Sequence, residues 1–429
     1  MRKIVLTTNG TLGDLHPFIA IGLALAKRGI TPVLAVPRDQ VAKCQSAGLQ
    51  AVAILPGFEA TRERMGLSQE EAVRRIIANQ RVMLEQVVLP GLSDCAIALD
   101  AAAADAEAIV ASIFVFAAPM IAEKRNLPLI SIILQPMAML SAYDPPHTPD
   151  FWMLSTPPVG RFGRLWNRTA YATLRWVVHA LYGRRIDRVR AENGLPRNGA
   201  RRLFEPGELS VLRLGCYSPQ LAPLPPDAPP ATQIVGFPMF DSHSGKDEDL
   251  DPILAGFLAD GPPPLVFTLG SFAVNSAGNF YDRAADVARA LGMRAVLLVG
   301  GDTPPSVDGD VLRCAYAPHS LLFSRAAAIV HHGGAGTTGQ ALRAGKPQLV
   351  VPYMGDQNDH AYRVARMGVG RRLKAGHFTV PRATRDIAAM LQDPSYRQTA
   401  ATIAAYMADE HGAEAAAEAI LQALAAQKP

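Results

Sequence analysis

The densest concentration of chemistry-bearing residues in the chain is Ala328-Ile329-Val330-His331-His332-Gly333-Gly334-Ala335-Gly336-Thr337-Thr338-Gly339-Gln340. An apolar run of strand character passes into a glycine-dense turn and then into a helical pattern. Glycines let backbone N–H groups come close to an anion, and the positive end of a helix dipole at the same point favours negative charge. His332 adds a side-chain donor, so a diphosphate is the natural guest. The bland alternative is a glycine turn that closes a strand–helix joint and binds nothing. A rival functional reading is an NAD-dependent oxidoreductase, because Gly334, Gly336 and Gly339 spell GxGxxG and Asp356 falls twenty residues after Gly336. Three details oppose it. The motif comes late in the chain, two histidines precede it where small residues are wanted, and Pro352-Tyr353-Met354-Gly355 puts Asp356 in a loop beyond the strand pattern Gln348–Val351. Asp249-Leu250-Asp251 and Asp308-Gly309-Asp310 each spell the metal-binding pattern DxD. Both lie in polar turns that produce such a pattern readily, and a helix end with His332 could stabilise a departing diphosphate directly. Neither a metal nor a cofactor is expected.

The elements that must carry these residues alternate from the start. Strand patterns at Ile4–Thr8, Pro32–Val36, Ala51–Leu55, Ala108–Ile113 and Leu129–Leu134 are separated by helical ones, including Pro17–Arg28 and a region opened by the capping-box sequence Ser68-Gln69-Glu70-Glu71. A second alternating block has strands at Pro264–Leu269, Ala295–Val299, Val311–Ala315, Ala328–His332 and Gln348–Val351. Its helices span Tyr281–Leu291 or start at Gly336 and Asn358. Such alternation predicts α/β architecture, two doubly wound parallel sheets with helices on both faces. Residues 219–230 hold six prolines and read as a stiff exposed connector between the blocks.

At this point the chain resembles family 1 (UDP-glycosyltransferase-like) glycosyltransferases of the GT-B fold. Its flavour is that of bacterial rhamnolipid-type rhamnosyltransferases and of sterol, flavonoid and antibiotic glycosyltransferases. The likeness rests on Tyr316-Ala317-Pro318-His319, His332 to Thr337, Pro347, Pro352 and Asp356-Gln357. It extends to Gly10-Thr11-Leu12-Gly13-Asp14-Leu15-His16-Pro17-Phe18, Gly236-Phe237-Pro238 and Thr268-Leu269-Gly270-Ser271. The resemblance implies two Rossmann-like domains across a cleft. An N-terminal acceptor-binding domain spans 1–218, a linker 219–231, and a C-terminal nucleotide-sugar domain 232–395, with residues 396–429 packing back on the first domain. It also implies roles. His332, Gly334, Gly336 and Thr337 would hold the diphosphate with Ser271, and Tyr316, beside His319, would stack on the nucleobase. Asp356 and Gln357 would read sugar hydroxyls. Gln340 stands where many relatives have a ribose-binding glutamate, which leaves room for a dTDP donor as well as UDP. An acceptor hydroxyl needs a base to take its proton. The family keeps that base on the loop after the first strand, where Asp14 lies, with His16 as the alternative. The plainer reading of Asp14 is a helix cap. Displacement by a base-activated hydroxyl implies inversion at the anomeric carbon.

The composition allows this function and excludes others. With 49% hydrophobic and 19% charged residues the chain is neither disordered nor fibrous, and a net charge of +4 suits an anionic ligand without requiring nucleic acid. Four scattered cysteines read as reduced thiols, and no apolar run reaches the ~20 residues of a membrane span. The expected setting is cytoplasmic, with at most peripheral membrane contact. Phe58, Phe114, Phe116, Pro136, Met137, Met139 and Trp152 are candidates to line an apolar acceptor pocket. The acceptor would then be a hydroxy-acyl lipid, a sterol-like molecule or a polyphenol. Any one of these residues could equally be core. Residues 161–202 hold eleven arginines against Asp187 and Glu192. They read as a solvated helix face or as a basic amphipathic surface meeting anionic lipid or an acidic acceptor. The competing non-enzyme reading is a nucleotide-sugar-binding protein that has lost its chemistry.

Overall fold

The computed structural model describes residues 2–157, 159–201, 209–242, 244–245 and 249–427; Arg202, the last of the eleven arginines, lies outside them. Strands rich in Val, Ile and Leu pair in parallel because helices cover both faces. The first sheet runs β3 (Gln50–Leu55), β2 (Thr31–Pro37), β1 (Lys3–Thr7), β4 (Ala108–Ser112), β5 (Leu129–Ile133), β6 (Ser210–Gly215), β7 (Thr232–Ile234). The second runs β10 (Ser306–Asp308), β11 (Val311–Cys314), β9 (Ala295–Leu298), β8 (Leu265–Thr268), β12 (Ala328–His331), β13 (Gln348–Val350), β14 (Gly370–Arg372), and only β10 is antiparallel. Side chains alternate across the first sheet. Ile4 and Leu6 enter the core beneath helix α1 (Leu12–Ala26), whereas Val5 enters the core on the opposite face. In each sheet the strand order reverses beside the strand that opens the domain. Those switch points, β1/β4 and β8/β12, leave a crevice at the carboxyl ends of the strands.

The expected connector is corrected. Strand β7 joins the edge of the first sheet by pairing with β6, so the proline-rich stretch before it is a crossover within that layer. Nor is the stretch exposed throughout. Leu221 and Ala222 are buried, and the Asp227 carboxylate accepts from the Ser141 hydroxyl at 2.5 Å and the Ala142 N–H at 2.8 Å. The prolines keep the crossover stiff, but side chains on either side of them anchor it.

Six further helices frame these two sheets. Helix α2 (Gln69–Ala78) starts at Ser68, whose hydroxyl accepts from the Glu71 N–H while the Glu71 carboxylate accepts from the Ser68 N–H, as the capping-box spacing predicts. Helix α3 (Arg161–Glu192) follows, then α4 (Ala335–Arg343) and α5 (Gly355–Arg366). After them α6 (Pro394–Ala408) packs on α4, and the last helix, Gly412–Ala426, returns to α1 and buries Ala416, Ala417 and Ile420 in the first core. The small alanines on this returning face let the two helices approach closely.

Candidate active site

Both loops singled out in the sequence lie at the switch points. The chain leaves β1 through Asn9-Gly10-Thr11 and enters α1, where Asp14 occupies the first turn. Asp14 is therefore not the N-cap residue, which is Thr11. Its Oδ2 accepts from the Thr11 N–H at 2.9 Å and the Thr11 hydroxyl at 3.4 Å. Gly10 has φ +116°, and a Cβ there would collide with the Asp14 carboxylate, so only glycine admits it. Burial, opposed by the Thr11 N–H and reinforced by the negative charge of Asp356, pushes Asp14 up to about 6. A carboxyl raised in this way has the proton affinity that a general base working near neutrality needs. His16 turns its ring edge to face Phe240 at 5.4 Å between centroids.

Across the cleft, β12 ends at His331 and the turn His332-Gly333-Gly334 opens α4. The N–H groups of Ala335, Gly336 and Thr337 are the orphan donors of the helix start. The His332 ring is wedged between two glycines, since a Cβ on Gly270 or on Gly334 would strike it. Its Nδ1 is buried without a partner among the described residues, and a Cβ at Gly336 would meet open space. An unsatisfied imidazole nitrogen, free helix N–H groups and room beside them fit a diphosphate. Burial, with the other histidines adding to it, pushes His332 down to about 3, so the ring offers a neutral donor. Gly333, at φ +91°, is clamped on both sides. Its N–H donates to His331 Nδ1 at 3.1 Å, and its carbonyl accepts from His360 Nδ1 at 2.7 Å. His331 is in turn fixed by Gln348 at 2.9 Å. Gly339 admits the Phe237 ring, so the third glycine of the apparent dinucleotide motif serves packing within this domain.

The remaining donor-side residues fall around that turn. Ser271 is exposed in the short helix Gly270–Ala273 after β8. Half-buried Tyr316 donates its hydroxyl to Asp241 at 3.1 Å, and Asp241 also accepts from the Ser320 N–H at 2.6 Å. His319 packs on Phe323 at 4.4 Å. Gln340 is buried one turn into α4. Asp356 corrects the loop expectation, since it lies in the first turn of α5, with Oδ2 3.8 Å from His360 Nδ1. Burial is the main cause that holds its carboxyl above the usual range. Gln357 is half committed. Its Oε1 accepts from the Tyr353 and Met354 N–H groups at 2.9 and 3.2 Å, leaving its Nε2 for a ligand.

The acceptor-side candidates scatter. Phe114 is 45% exposed, and its carbonyl accepts from Asn9 Nδ2 at 3.1 Å, so it stands beside the Asp14 loop. Phe58 meets Phe272 of the other domain edge to face at 6.0 Å. Phe116 and Met139 pack partly into cores, Pro136 is buried and Met137 half-buried. Trp152, which follows the short helix Pro149–Phe151, is 80% exposed. The DxD loops have other work. Asp251 caps Ile253 and Asp308 pairs with Arg289 at 3.1 Å. Among the described residues no group of three or more His, Cys, Asp or Glu is arranged to hold a metal.

Sequence reasoning missed what joins the two halves. Arg363 of α5 reaches Asp144 of the first domain at 2.6 Å and its own neighbour Asp359 at 2.7 Å, with Arg363 and Asp359 buried. Asp359 also accepts from the His147 N–H at 3.0 Å, while the His147 ring stacks on Tyr362 at 3.6 Å. The only signal was an Asp359/Arg363 spacing of one helical turn.

Comparison with known proteins bears on this geometry. Residues 301–424 match the domain family described as erythromycin biosynthesis protein CIII-like, C-terminal domain. The chain is 30% identical over 434 residues to glycosyltransferase GtfC of Amycolatopsis orientalis, covering 99% of this chain and 98% of that one. It is 29% identical over 433 residues to a vancomycin aglycone glucosyltransferase of the same organism, covering 100% and 99%. The solved spinosyn rhamnosyltransferase SpnG, complexed with thymidine diphosphate, superposes with a TM-score of 0.64 at 19% identity, over 98% of this chain and 100% of that one.

Proposed function

This chain belongs to the family 1 glycosyltransferases of the GT-B fold, and we propose that it moves a sugar, with inversion, from a dTDP- or UDP-linked donor to a hydroxyl of a small apolar acceptor. The observation that carries the proposal is geometric: α1, which bears Asp14, packs against α4, at whose start stand the orphan helix N–H groups and a His332 Nδ1 without a partner among the described residues. Asp14 of the first domain feels the charge of Asp356 of the second, so a base candidate and a sugar-reading candidate share one cleft. In the step proposed, the acceptor oxygen attacks C1 of the sugar as the bond from C1 to the phosphate oxygen breaks. The hydroxyl proton passes to Asp14, and the nucleoside diphosphate leaves as an anion held by the α4 N–H groups and His332. Asp356, with the free amide of Gln357, orients the sugar. Tyr316, held by Asp241, offers its ring to the base. Thymidine diphosphate in the SpnG complex supports a dTDP donor, as does the amide at Gln340.

An apolar acceptor is the reading that the exposed Phe114 ring, beside the Asp14 loop, supports. Incubating the protein with dTDP- and UDP-sugars and a panel of phenols, sterols and hydroxy-acyl lipids should give a glycoside whose anomeric configuration is opposite to that of the donor. Retention of configuration would overturn the single-displacement step.

A further inference from the structure

Helix α3 is 32 residues long, about 48 Å. Its C-terminal half is anchored. Tyr182, Ile186 and Val189 enter the core, Arg190 forks onto Glu123 at 3.0 and 3.1 Å, and Asp187 caps Asn198 and Gly199. The first five turns are held along one edge only, where Asn167 accepts from the Ser155 N–H at 2.8 Å and the Tyr171 hydroxyl donates to the Ser141 carbonyl at 3.0 Å. The opposite edge leaves Phe162, Leu165, Trp166, Trp176, Val177 and Leu181 exposed to solvent. Their spacing is helical, so they form a single stripe. Trp152 and Met153 extend it, because the Trp166 indole donates to the Met153 carbonyl at 2.9 Å. All three tryptophans of the chain therefore lie on this patch.

Charge decides what covers it. Exposed Arg161, Arg168, Arg184 and Arg188 flank the stripe, and between Asp150 and Asp187 the chain has no acidic residue. A second copy docked symmetrically would set these arginines against themselves. An interface of anionic headgroups over acyl chains accepts both components, with guanidinium groups at the phosphates and indoles at headgroup depth. Among the described residues no single helix is long and apolar enough to cross a bilayer, and the one-sided apolar face of α3 has the form of a surface contact. We propose that the exposed face of α3 docks this enzyme on the surface of an anionic lipid bilayer.

Co-sedimentation of the full chain with phosphatidylcholine vesicles, with and without phosphatidylglycerol, tests this directly. The protein should bind the phosphatidylglycerol vesicles at low salt, release at high salt, and show a blue-shifted tryptophan emission when bound. The double substitution Leu165→Ser, Trp176→Ser and, separately, Arg161→Glu, Arg168→Glu should each weaken binding ~10-fold or more. Thermal unfolding and nucleoside diphosphate affinity should stay unchanged, so that loss of fold is not mistaken for loss of docking. Failure of the native chain to bind at low salt, or equal binding by the variants, would overturn the proposal. A concentration-dependent dimer in sedimentation velocity that the same variants abolish would also overturn it, since the face would then be an interface between copies.

Discussion

One side chain at the residue scale works against its ordinary solution chemistry. His332 is kept neutral by burial, so its contact with a diphosphate is that of a neutral donor. A hydrogen bond of that kind contributes about 0.5–1.5 kcal/mol, whereas leaving its partner unsatisfied costs more. Replacing His332 with alanine should therefore weaken nucleoside diphosphate binding about 10-fold by calorimetry, and unaltered affinity would remove it from the cradle. Asp356→Ala should spare nucleoside diphosphate affinity and damage transfer of the intact sugar. Gln340 concerns the ribose. An amide accepts less strongly from a diol than a carboxylate does, so dTDP-sugars should be used at least as well as UDP-sugars. Gln340→Glu should shift the ratio of kcat/KM toward UDP by about 10-fold, one strong hydrogen bond. A strong native preference for UDP would mean that the ribose is read elsewhere.

At the element scale, what matters is how α5 is tied down. It presents Asp356 to the cleft from its first turn and, two turns on, sends Arg363 across to Asp144. The end proposed to read the sugar is thus fixed by the same helix that bridges the domains. Removing one member of a buried ion pair leaves an uncompensated charge and costs about 3–5 kcal/mol. Arg363→Met should destabilise on that scale in denaturant unfolding. Asp144→Asn should cost less, because Asp144 is partly exposed and Arg363 keeps Asp359. Equal, negligible effects would show that the bridge does not hold the domains. Little of this was legible in sequence, because Asp144 and Arg363 are 219 residues apart and an ion pair of high separation leaves no periodic mark. Ten strands were legible because strands buried on both faces are nearly continuous runs of Val, Ile and Leu, whereas β6, β10 and β14 were missed. Strand β7 was not legible either, since three half-exposed residues after six prolines carry no such run.

For the molecule as a whole, two glycine-bearing loops more than 300 residues apart meet at the switch points of two sheets. The chemistry-bearing motifs were readable because phosphate and proton-transfer sites need particular residue types at particular backbone positions. The acceptor side was not readable, since apolar side chains look alike in a core and in a pocket. Phe116, which packs partly into a core, is the clearest case. On the proposed mechanism, what distinguishes a site for transfer from one for binding alone is Asp14 acting as base. Burial and Asp356 raise its carboxyl to about 6, so below that pH the base is increasingly protonated and kcat/KM must fall. The direct test is the pH profile of kcat/KM for sugar transfer by the native chain and by Asp14→Asn, with nucleoside diphosphate affinity measured alongside. The account predicts a native profile falling about 10-fold per pH unit below about 6, and a variant slower by about 100-fold or more with no such limb and unchanged nucleotide affinity. A variant that keeps more than half the native rate would contradict it, reducing Asp14 to the capping-box partner of Thr11 and passing the role of base to His16.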